Sequence, residues 1–415
     1  MKYTSLLKFY TATPKFTHAP GLAVMGELMA RLGHPQRRLK CVHIAGTNGK
    51  GSCAAMAESV LRAAGWRTGL FTSPDLCGIE ERIRVNGVNI TPKDFARITV
   101  RVRRACRGLA EPSYFEKLTA AALLYFAEQG CERVVLEAGL GGRLDATNIL
   151  ETPLCSVIMP IGLDHTAVLG SSLSAIAGEK AGIIKPGCPV VCAPQPPEAL
   201  AVIIRAAEER KAPLHLVDIK FIHPLSRSPA GQVFSYGAME NISLSLLGAH
   251  QLENAAAVIE LARLLGVDEA AILAGLQAAR WPCRFEYIPG APPFVLDGAH
   301  NPHGAAALAA GLREYFPGAR FTMVMGVMAD KDYAHILPLV TPLAARFICL
   351  TPDSPRALPA AALAARIEAV PAETAAGPGE AIAQARSYGD PVCAFGSLYY
   401  IGALRALLLG GRADL

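Results

Sequence analysis

The chain has 415 residues, of which 52% are hydrophobic and 18% are charged, a composition that supports a large buried core and excludes an intrinsically disordered protein. The formal net charge of +5 is small for this length, so it gives no indication of a nucleic-acid partner, although it suits an anionic small-molecule ligand. No uncharged run reaches the roughly 18 residues that a membrane helix needs, and residues 1–16 lack the pattern of a signal peptide. We therefore expect a cytoplasmic protein with no membrane partner.

Eleven cysteines are spread irregularly along the chain, and no two of them form a CxxC pair. Cysteines in a cytoplasmic protein are mostly reduced, and an isolated cysteine usually packs as a small hydrophobic residue. We therefore interpret them as core residues and expect neither disulfides nor a cysteine metal site.

Short apolar runs alternate with helical patterns from the N-terminus onward. Strands are predicted over residues 39–44, 68–72, 133–137, 155–159 and 189–192, and helices over 52–64 and 113–129. This alternation is typical of parallel strands joined by crossover helices, an arrangement that binds ligands at the carboxyl ends of its strands. Residues 221–247 differ, because their short strands and turns predict a small antiparallel addition. Two helices are predicted after it, over 251–265 and 268–279.

The segment WPCRFEYIPGAPPF, residues 281–294, is rich in proline and aromatic residues, and we interpret it as a linker between domains. After it the α/β pattern restarts, with strands predicted over 294–296, 320–325, 347–351 and 392–395. The predicted fold class is α/β with two domains, residues 1–282 with a mostly parallel sheet and residues 283–415 with a smaller, Rossmann-like arrangement.

A glycine-rich turn joins the first predicted strand to the first predicted helix in the sequence CVHIAGTNGKGS. Gly46, Gly49 and Gly51 allow backbone N–H groups to face phosphate oxygens, and the N-terminus of the helix adds a favourable partial charge. Lys50 can reach the β- and γ-phosphates, and the Ser52 hydroxyl can bind Mg²⁺. The spacing differs from the strict P-loop pattern because Gly51 separates Lys50 from Ser52. The segment predicts a nucleotide site, and the alternative is a structural turn that has no need of Lys50 or Ser52.

The segment HIAGTNGKGS resembles the nucleotide loop of the Mur ligase superfamily, in its branch of folylpolyglutamate and dihydrofolate synthases, and the resemblance extends along nearly the whole chain. It implies that the first domain is a P-loop ATPase of the Mur ligase type and that the protein is an ATP-dependent ligase. It also implies that the turn binds ATP through Gly46, Thr47, Asn48, Gly49, Lys50, Gly51 and Ser52.

Glu137 ends a predicted strand, and a carboxylate at the carboxyl end of a strand near a phosphate loop is well placed for Mg²⁺, although a solvated glutamate is the alternative. EAGLGGRLDATN is similar to a family segment in which the glutamate binds magnesium and the aspartate, here Asp145, lies in the pterin site. His165, taken alone, is more typical of a helix cap. The resemblance instead implies that it binds a second Mg²⁺.

Glu179 and Lys180 lie in IAGEKAGIIKPG, and taken alone they would form a surface charge pair. The resemblance implies that Lys180 is carbamylated by CO₂ and that the carbamate binds magnesium. Carbamylation requires the neutral amine, whereas a lysine with the ordinary pKa of about 10.4 is almost entirely protonated at neutral pH. The site must therefore lower this pKa or trap the carbamate with metal.

The segment TSPDLCGIEERIRVNG is similar to the family's loop that covers the folate. The resemblance implies substrate contacts from Ser73, Pro74, Asp75 and Arg82, with Asp75 in the place of the usual histidine. GAHQLENAAA resembles a family segment that would place Asn254 near the nucleotide, although an asparagine at this spacing could equally cap or solvate the helix.

Three segments of the second domain also match the family, namely PCR, DGAHNPHG and GSLYY. The resemblance implies that Arg284 reaches the γ-phosphate and that Asp297 lies near the nucleotide. It places His300 and Ser397 near the glutamate. Cys283 stands where the family has glycine.

The implied reaction begins when the substrate carboxylate attacks the γ-phosphate of ATP, and the amine of L-glutamate then displaces phosphate from the acyl phosphate. Lys50, Lys180, Arg284 and His300 are the candidate catalytic residues, with two Mg²⁺. The expected acceptor is dihydropteroate, a reduced folate or both, and the expected oligomeric state is a monomer.

Three alternatives stay open from the sequence: a ligase of the muramyl-peptide or cyanophycin type, a P-loop nucleotide switch or kinase, and a non-catalytic nucleotide-binding module. A switch or kinase gives no reason for a second domain that carries DGAHNP. The joint presence of Lys50, Glu137, Lys180 and Arg284 argues against a module without activity.

Overall fold

The computed structural model describes residues 3–12 and 21–410. The predicted absence of a signal peptide concerns residues 1–16, of which residues 1, 2 and 13–16 lie outside the described residues. Within the described ranges, no helix has the length and apolar character needed to span a bilayer. The chain divides into two compact units. The first runs to residue 223 and includes 236–242 and 253–279, and the second comprises 224–235, 243–252 and the residues from 280 onward.

The first unit is built on an eight-stranded sheet with the order β4-β3-β2-β5-β1-β6-β7-β8. Its strands are β1 Cys41–Ala45, β2 Thr68–Phe71, β3 Ile83–Val85, β4 Val88–Asn89, β5 Arg133–Glu137, β6 Cys155–Ile158, β7 Val190–Cys192 and β8 Leu214–Leu216. Six neighbouring strands, β2, β5, β1, β6, β7 and β8, run parallel to one another. Strands β3 and β4 extend the sheet beyond β2 with antiparallel pairing. The central strands β1, β2 and β6 are buried along their whole length, as continuous apolar runs predict for a covered parallel sheet.

Ten helices pack in or next to this unit in the described ranges: α1 Tyr3–Thr11, α2 Ala23–Arg31, α3 Lys50–Ala63, α4 Pro92–Ala105, α5 Tyr114–Glu128, α6 Thr166–Leu169, α7 Leu173–Ala181, α8 Pro197–Glu209, α9 Ala249–Leu264 and α10 Glu269–Ala278. Helix α5 begins with a capping box, because the Ser113 hydroxyl accepts the N–H of Glu116 and the Glu116 carboxylate accepts the N–H of Ser113. Helices α2, α4 and α5 contribute to the same core cluster.

A three-stranded sheet lies in residues 222–244, with the order β11-β10-β9. Its strands are β9 Ile222–Ser228, β10 Gly231–Tyr236 and β11 Met239–Leu244, and they confirm that this region forms short strands and turns. Burial alternates along β10, as expected for a strand with one covered face.

The second unit has a six-stranded sheet with the order β12-β13-β17-β14-β15-β16. Its strands are β12 Glu286–Ile288, β13 Phe294–Leu296, β14 Phe321–Met325, β15 Ala344–Leu350, β16 Ala372–Ala375 and β17 Val392–Phe395. Its helices are α11 Pro302–Tyr315, α12 Tyr333–Val340, α13 Ala360–Ala364, α14 Pro378–Tyr388 and α15 Leu398–Leu408. All pairs are parallel except β12 with β13. The two mostly parallel sheets confirm the α/β fold class, whereas the boundary at 282/283 stays a prediction.

The predicted linker is wrong in its middle. Residues 286–288 form β12, which pairs antiparallel with β13 and so belongs to the second sheet. The Tyr287 ring packs against the Phe316 ring with centroids 5.9 Å apart. The proline and aromatic content that suggested a linker therefore reflects an edge strand with a packed face.

The interpretation of the cysteines as core residues is confirmed for nine of the eleven, whereas Cys77 is exposed and Cys106 is half-buried. All eleven are free thiols, and nine of them are buried. No group of three or more histidine, cysteine, aspartate or glutamate side chains suited to a metal occurs in the described part of the chain.

Candidate nucleotide and substrate site

The carboxyl ends of four neighbouring strands create the candidate site of the first unit. Because β2, β5, β1 and β6 are adjacent and parallel, the loops that follow them meet at one edge of the sheet. Four predicted features lie in these loops. They are the loop expected to cover the folate, which begins at Ser73 and is called the acceptor loop below, Glu137, the glycine-rich phosphate loop of residues 46–52, and His165. The topology thus brings together residues that lie more than a hundred positions apart in the sequence.

Two glycines of the phosphate loop are required by close contacts. Gly46 has φ 157° and Gly49 has φ 81°, and α3 begins directly after Gly49. A Cβ atom at Gly46 would lie 2.6 Å from the Cβ of Met159, and one at Gly49 would lie 2.5 Å from Asn254 Oδ1. Asn254 is buried against this loop, which places it at the predicted nucleotide site.

The loop is also anchored to the segment after β6. The N–H groups of Thr47 and Asn48 donate to the Pro160 carbonyl at 2.9 and 3.3 Å, and the Thr47 hydroxyl lies 3.0 Å from both the N–H and the carbonyl oxygen of Gly162. The Lys50 ammonium donates to the Thr47 carbonyl at 3.1 Å. These contacts were not predicted from the sequence, because any residue type can supply a backbone carbonyl or N–H group at these positions.

Lys180 points inward to the phosphate loop. Lys180 is 4% exposed, and its Nζ donates to the Gly46 carbonyl at 2.6 Å. Burial, together with the nearby Lys50 charge, lowers the pKa of Lys180 to about 7. Glu179 instead pairs with Arg143 at 2.7 Å, so the surface pair of Glu179 with Lys180 does not form.

Lys180 lines a cavity in the first unit with residues of three loops. The lining residues are Gly46, Thr47, Lys50, Ala138, Gly139, Leu140, Gly141, Asp164, His165, Leu169 and Lys180. The walls of the cavity are therefore formed by the phosphate loop, the glycines after Glu137 and the loop that carries His165.

Glu137 and Ser52 supply oxygen atoms near this edge. Glu137 is 3% exposed and stands beside Ile44 in the register of β5 with β1. Its carboxylate accepts the N–H of Ser73 at 3.0 Å, which ties the end of β5 to the start of the acceptor loop. Ser52 is buried in the first turn of α3.

His165 lies at the N-cap position of α6 with φ 51°, and its side chain makes no capping hydrogen bond. The imidazole is 54% exposed, and its Nε2 lies 3.9 Å from Asp164 Oδ2. Asp164 is a cavity residue that the prediction left out, although an acidic residue beside His165 in the same strand-end loop was a usable signal.

The donor set fits magnesium in part. Mg²⁺ prefers oxygen ligands, keeps several waters and is usually held by one or two carboxylates together with substrate phosphates. Glu137 and Ser52 satisfy that preference, and Asp164 adds a carboxylate at the cavity wall. A preformed cage of protein ligands is therefore not required for this chemistry.

Asp145 is buried in the loop that follows β5. One carboxylate oxygen accepts the N–H of Thr147 at 3.0 Å and its hydroxyl at 2.5 Å, and the other accepts the N–H of Leu140 at 2.9 Å. Burial raises the pKa of Asp145, while these hydrogen bonds lower it. The carboxylate thus shapes its own loop, and its contact with substrate stays a prediction.

Two acidic side chains, Asp75 and Glu81, hold the conformation of the predicted acceptor loop through contacts within it. Asp75 pairs with Arg82 at 2.5 Å, and the Arg82 guanidinium lies 5.5 Å from the centroid of the Tyr114 ring. The buried Glu81 carboxylate accepts the N–H groups of Leu76, Cys77 and Gly78 at 2.8, 3.0 and 3.1 Å. Ser73 and Pro74 begin this loop through a cis peptide bond. Sequence reasoning missed Glu81, because a glutamate within ERIR gave no sign of burial.

The second unit brings its own predicted residues together at the carboxyl ends of β13 and β17, which are parallel neighbours. The Asp297 carboxylate accepts the N–H groups of Phe285 and Ala299 at 2.6 and 2.7 Å. Burial raises the pKa of Asp297, and the Arg284 charge opposes that shift. Ser397 is buried and forms the N-cap of α15.

Arg284 and His300 are both oriented by the segment around Gly298. The Arg284 guanidinium passes close to this glycine, where a Cβ atom would lie 2.4 Å from Nη1. His300 Nδ1 lies 2.8 Å from the Gly298 carbonyl oxygen, which can only accept a hydrogen bond. Nδ1 therefore carries a proton.

The comparisons with known proteins agree with this geometry. Two family models match, the Mur ligase middle domain over residues 44–262 and the Mur ligase glutamate ligase domain over 283–398. The dihydrofolate synthase/folylpolyglutamate synthase of Bacillus subtilis (strain 168) is 41% identical over 360 residues, which cover 83% of this chain and 84% of the relative. This chain belongs to the folylpolyglutamate synthase and dihydrofolate synthase family.

Solved structures of this family share the fold. The folylpolyglutamate synthase of Thermotoga maritima has a TM-score of 0.89 at 35% identity and covers 99% of this chain and 98% of its own. An Escherichia coli FolC structure in complex with DHPP and ADP has a TM-score of 0.89 at 29% identity, with coverage of 100% and 99%.

Membership in this synthase family makes the chain an ATP-dependent ligase, as the sequence predicts. The kinase, nucleotide-switch and non-catalytic alternatives are not favoured, since both Mur ligase regions match. A muramyl-peptide or cyanophycin ligase is not favoured either, because the relatives that match most of the chain carry synthase names.

Proposed function

We propose that this ligase joins L-glutamate to dihydropteroate and extends the glutamate chain of reduced folates, with ATP converted to ADP and phosphate. The observation that carries the proposal is the meeting of the phosphate loop, Glu137, Lys180 and the acceptor loop at one edge of the first sheet. The double name of the Bacillus subtilis relative supports both activities, and the Escherichia coli FolC structure in complex with DHPP and ADP supports a small-molecule acceptor bound together with the nucleotide.

The first step needs the repulsion between two anions to be overcome. The acceptor carboxylate must approach the γ-phosphate, and positive charge at the phosphate lowers the barrier. Lys50 stands at the N-terminus of α3 in the phosphate loop, where the partial charge of the helix adds to its own. Arg284 is the proposed second cation at the γ-phosphate.

Lys180 is proposed to become a carbamate. At a pKa of about 7, roughly half of the amines are neutral at neutral pH, which removes the main chemical obstacle to reaction with CO₂. The carbamate would then join Ser52, Glu137 and His165 as a candidate ligand set for two magnesium ions. Bound magnesium would neutralise phosphate charge during transfer.

His300 is proposed to assist the attack of glutamate. Because Nδ1 carries the proton that faces the Gly298 carbonyl, the neutral ring has an unprotonated Nε2. That nitrogen can take a proton from the glutamate ammonium group, since a neutral imidazole is a suitable base near pH 7, and the free amine then attacks the acyl phosphate. Ser397 and Asp297 complete the proposed glutamate and nucleotide contacts. The proposal includes a monomer in the cytoplasm.

The test is glutamate-dependent phosphate release from ATP, measured separately with dihydropteroate and with tetrahydrofolate. Release with both acceptors is the expected result, and release with one assigns a single activity. Lys50→Ala should abolish release, whereas the exposed Lys220→Ala should retain it. No release with either acceptor, or full activity of Lys50→Ala, would contradict the proposal.

A further inference from the structure

The turn that carries Arg284 has an unusual backbone. Cys283 and Phe285, on either side of Arg284, have φ 57° and φ 48°, in the left-handed region that favours glycine. Both side chains are buried. Residues that are not glycine stay in this region only where their surroundings impose it, and such positions cluster at functional sites.

Three hydrogen bonds impose this conformation. The Cys283 N–H donates to the Glu286 carboxylate at 2.9 Å, and the Phe285 N–H donates to the Asp297 carboxylate at 2.6 Å. The Cys283 carbonyl accepts the N–H of Gly298 at 2.9 Å. Two carboxylates therefore hold the N–H groups that flank Arg284.

Glu286 is itself held from α15. Arg405 Nε lies 2.9 Å from both oxygens of the Glu286 carboxylate. The Arg405 side chain is 12% exposed and that of Glu286 is 22% exposed, so solvent screens this pair less than an ordinary surface ion pair. Arg405 thus fixes the carboxylate that in turn accepts the Cys283 N–H.

The Arg284 side chain is restrained by the same turn. Its Nη1 donates to the Cys283 carbonyl at 3.1 Å, and the guanidinium lies against Gly298. The direction of the guanidinium therefore depends on the conformation of Cys283. A long and otherwise flexible side chain is oriented before any ligand arrives, which lowers the entropy lost on binding.

We infer that Glu286 and Arg405 are positioning residues, which hold the left-handed turn at Cys283 and Phe285 and so fix the direction of the Arg284 guanidinium, the group proposed to contact the γ-phosphate of ATP. The inference rests on the proposed function only for the role of Arg284.

The test compares two nucleotides that differ in the γ-phosphate, AMPPCP and ADP, by calorimetry in the presence of Mg²⁺. Arg405→Met should weaken AMPPCP binding about tenfold and leave ADP binding unchanged, because only AMPPCP carries the group that Arg284 would contact. Arg405→Lys should restore part of the loss. The effect should vanish in an Arg284→Ala background, since Arg405 acts through Arg284.

Asp390→Asn is the matched control. It breaks another ion pair of the second unit, with Arg346, at the opposite end of β17 from Ser397. This variant should bind both nucleotides normally. Equal losses for AMPPCP and ADP, no loss, or a loss that persists without Arg284 would overturn the inference. None of these measurements requires a folate acceptor, so failure of the proposed function would be seen separately in the assay of phosphate release.

Discussion

At the scale of single residues, the environment of a side chain decides its chemistry. Glu179 and Lys180 are adjacent in α7, and successive helical residues point about 100° apart. One therefore reaches Arg143 at the surface, while the other enters the phosphate loop. The buried amine has the depressed pKa that reaction with CO₂ requires.

Lys180 should incorporate labelled CO₂. With ¹³C-bicarbonate, we expect a carbamate signal in the NMR spectrum that Lys180→Ala abolishes and Lys220→Ala preserves. At a fixed concentration of dissolved CO₂ the signal should grow as pH rises through about 7, because the neutral fraction of the amine grows. Lys180→Ala should also lower kcat by about 100-fold, given the charge that the carbamate would add to the site. A signal that survives in Lys180→Ala would exclude this modification.

Cys283 should tolerate glycine but not valine. Glycine adopts φ 57° without steric cost, which offsets its greater loss of chain entropy and part of the loss of the buried thiol, so Cys283→Gly should lower the free energy of unfolding by no more than about 1 kcal/mol. Cys283→Val should destabilise by about 2 kcal/mol, since a β-branched residue is strongly disfavoured there. Denaturant titration of the two variants measures the difference, and equal stabilities would show that the turn is not strained.

At the scale of elements, the phosphate loop depends on how tightly α3 is packed. Ten consecutive residues of this helix, Ser52–Leu61, are buried. Helix α10 approaches it so closely that the Ser59 hydroxyl donates to the Gly275 carbonyl at 2.7 Å. Helix α3, whose first turn carries Lys50 and Ser52, is therefore held at its middle by a helix more than 200 residues later in the chain.

Gly275→Ala should disrupt this contact. The new Cβ would lie 2.4 Å from the Cα of Val60, a backbone atom that cannot rotate away, so we expect a loss of about 2 kcal/mol or more. Gly178→Ala is the control, because this exposed position in α7 has no atom within 4 Å of the new Cβ. Alanine there should stabilise by about 1 kcal/mol through helix propensity. Thermal unfolding measures the unfolding midpoint of each variant. Midpoints that both rise or both fall relative to the original protein would contradict the argument.

At the scale of the whole molecule, each unit contains a histidine whose pKa is lowered, the buried His43 and the half-buried His250. Burial brings the pKa of His43, in β1, to about 3 and that of His250 to about 4. The unfolded chain binds these protons at an ordinary pKa of about 6.5, so it takes up more protons than the folded protein between that pH and the folded value. The contribution of these histidines to the free energy of unfolding is therefore fully present above about pH 6.5, and it decreases as the pH falls toward their folded-state pKa values.

His43→Gln should weaken this acid dependence. For one histidine with these pKa values, the loss between pH 7 and pH 5 is about 2 kcal/mol, and the variant should lack this part of the loss. Urea unfolding at both pH values gives the comparison. Exposed His335→Gln serves as control and should follow the original protein. An unchanged pH dependence in His43→Gln would show that other groups cause the acid sensitivity.

The α/β class, the strands around the phosphate loop and the short strands of residues 222–244 follow from the sequence, because apolar periodicity and turn residues are local properties. Candidate residues such as Lys50 and Glu137 stand out for their type and their position after a strand, whereas Lys180, taken alone, suggests only a surface charge pair. The roles of these residues came from the family resemblance.

Tertiary structure alone decided where the side chains point and what holds them. The strand order places Glu137 beside the phosphate loop, and burial separates Lys180 from Glu179. It also turned part of the expected linker into β12 and revealed the support of Arg284 by Glu286 and Arg405. These features depend on contacts between distant segments, whose partners and burial are set only when the chain folds, so no local pattern in the sequence encodes them.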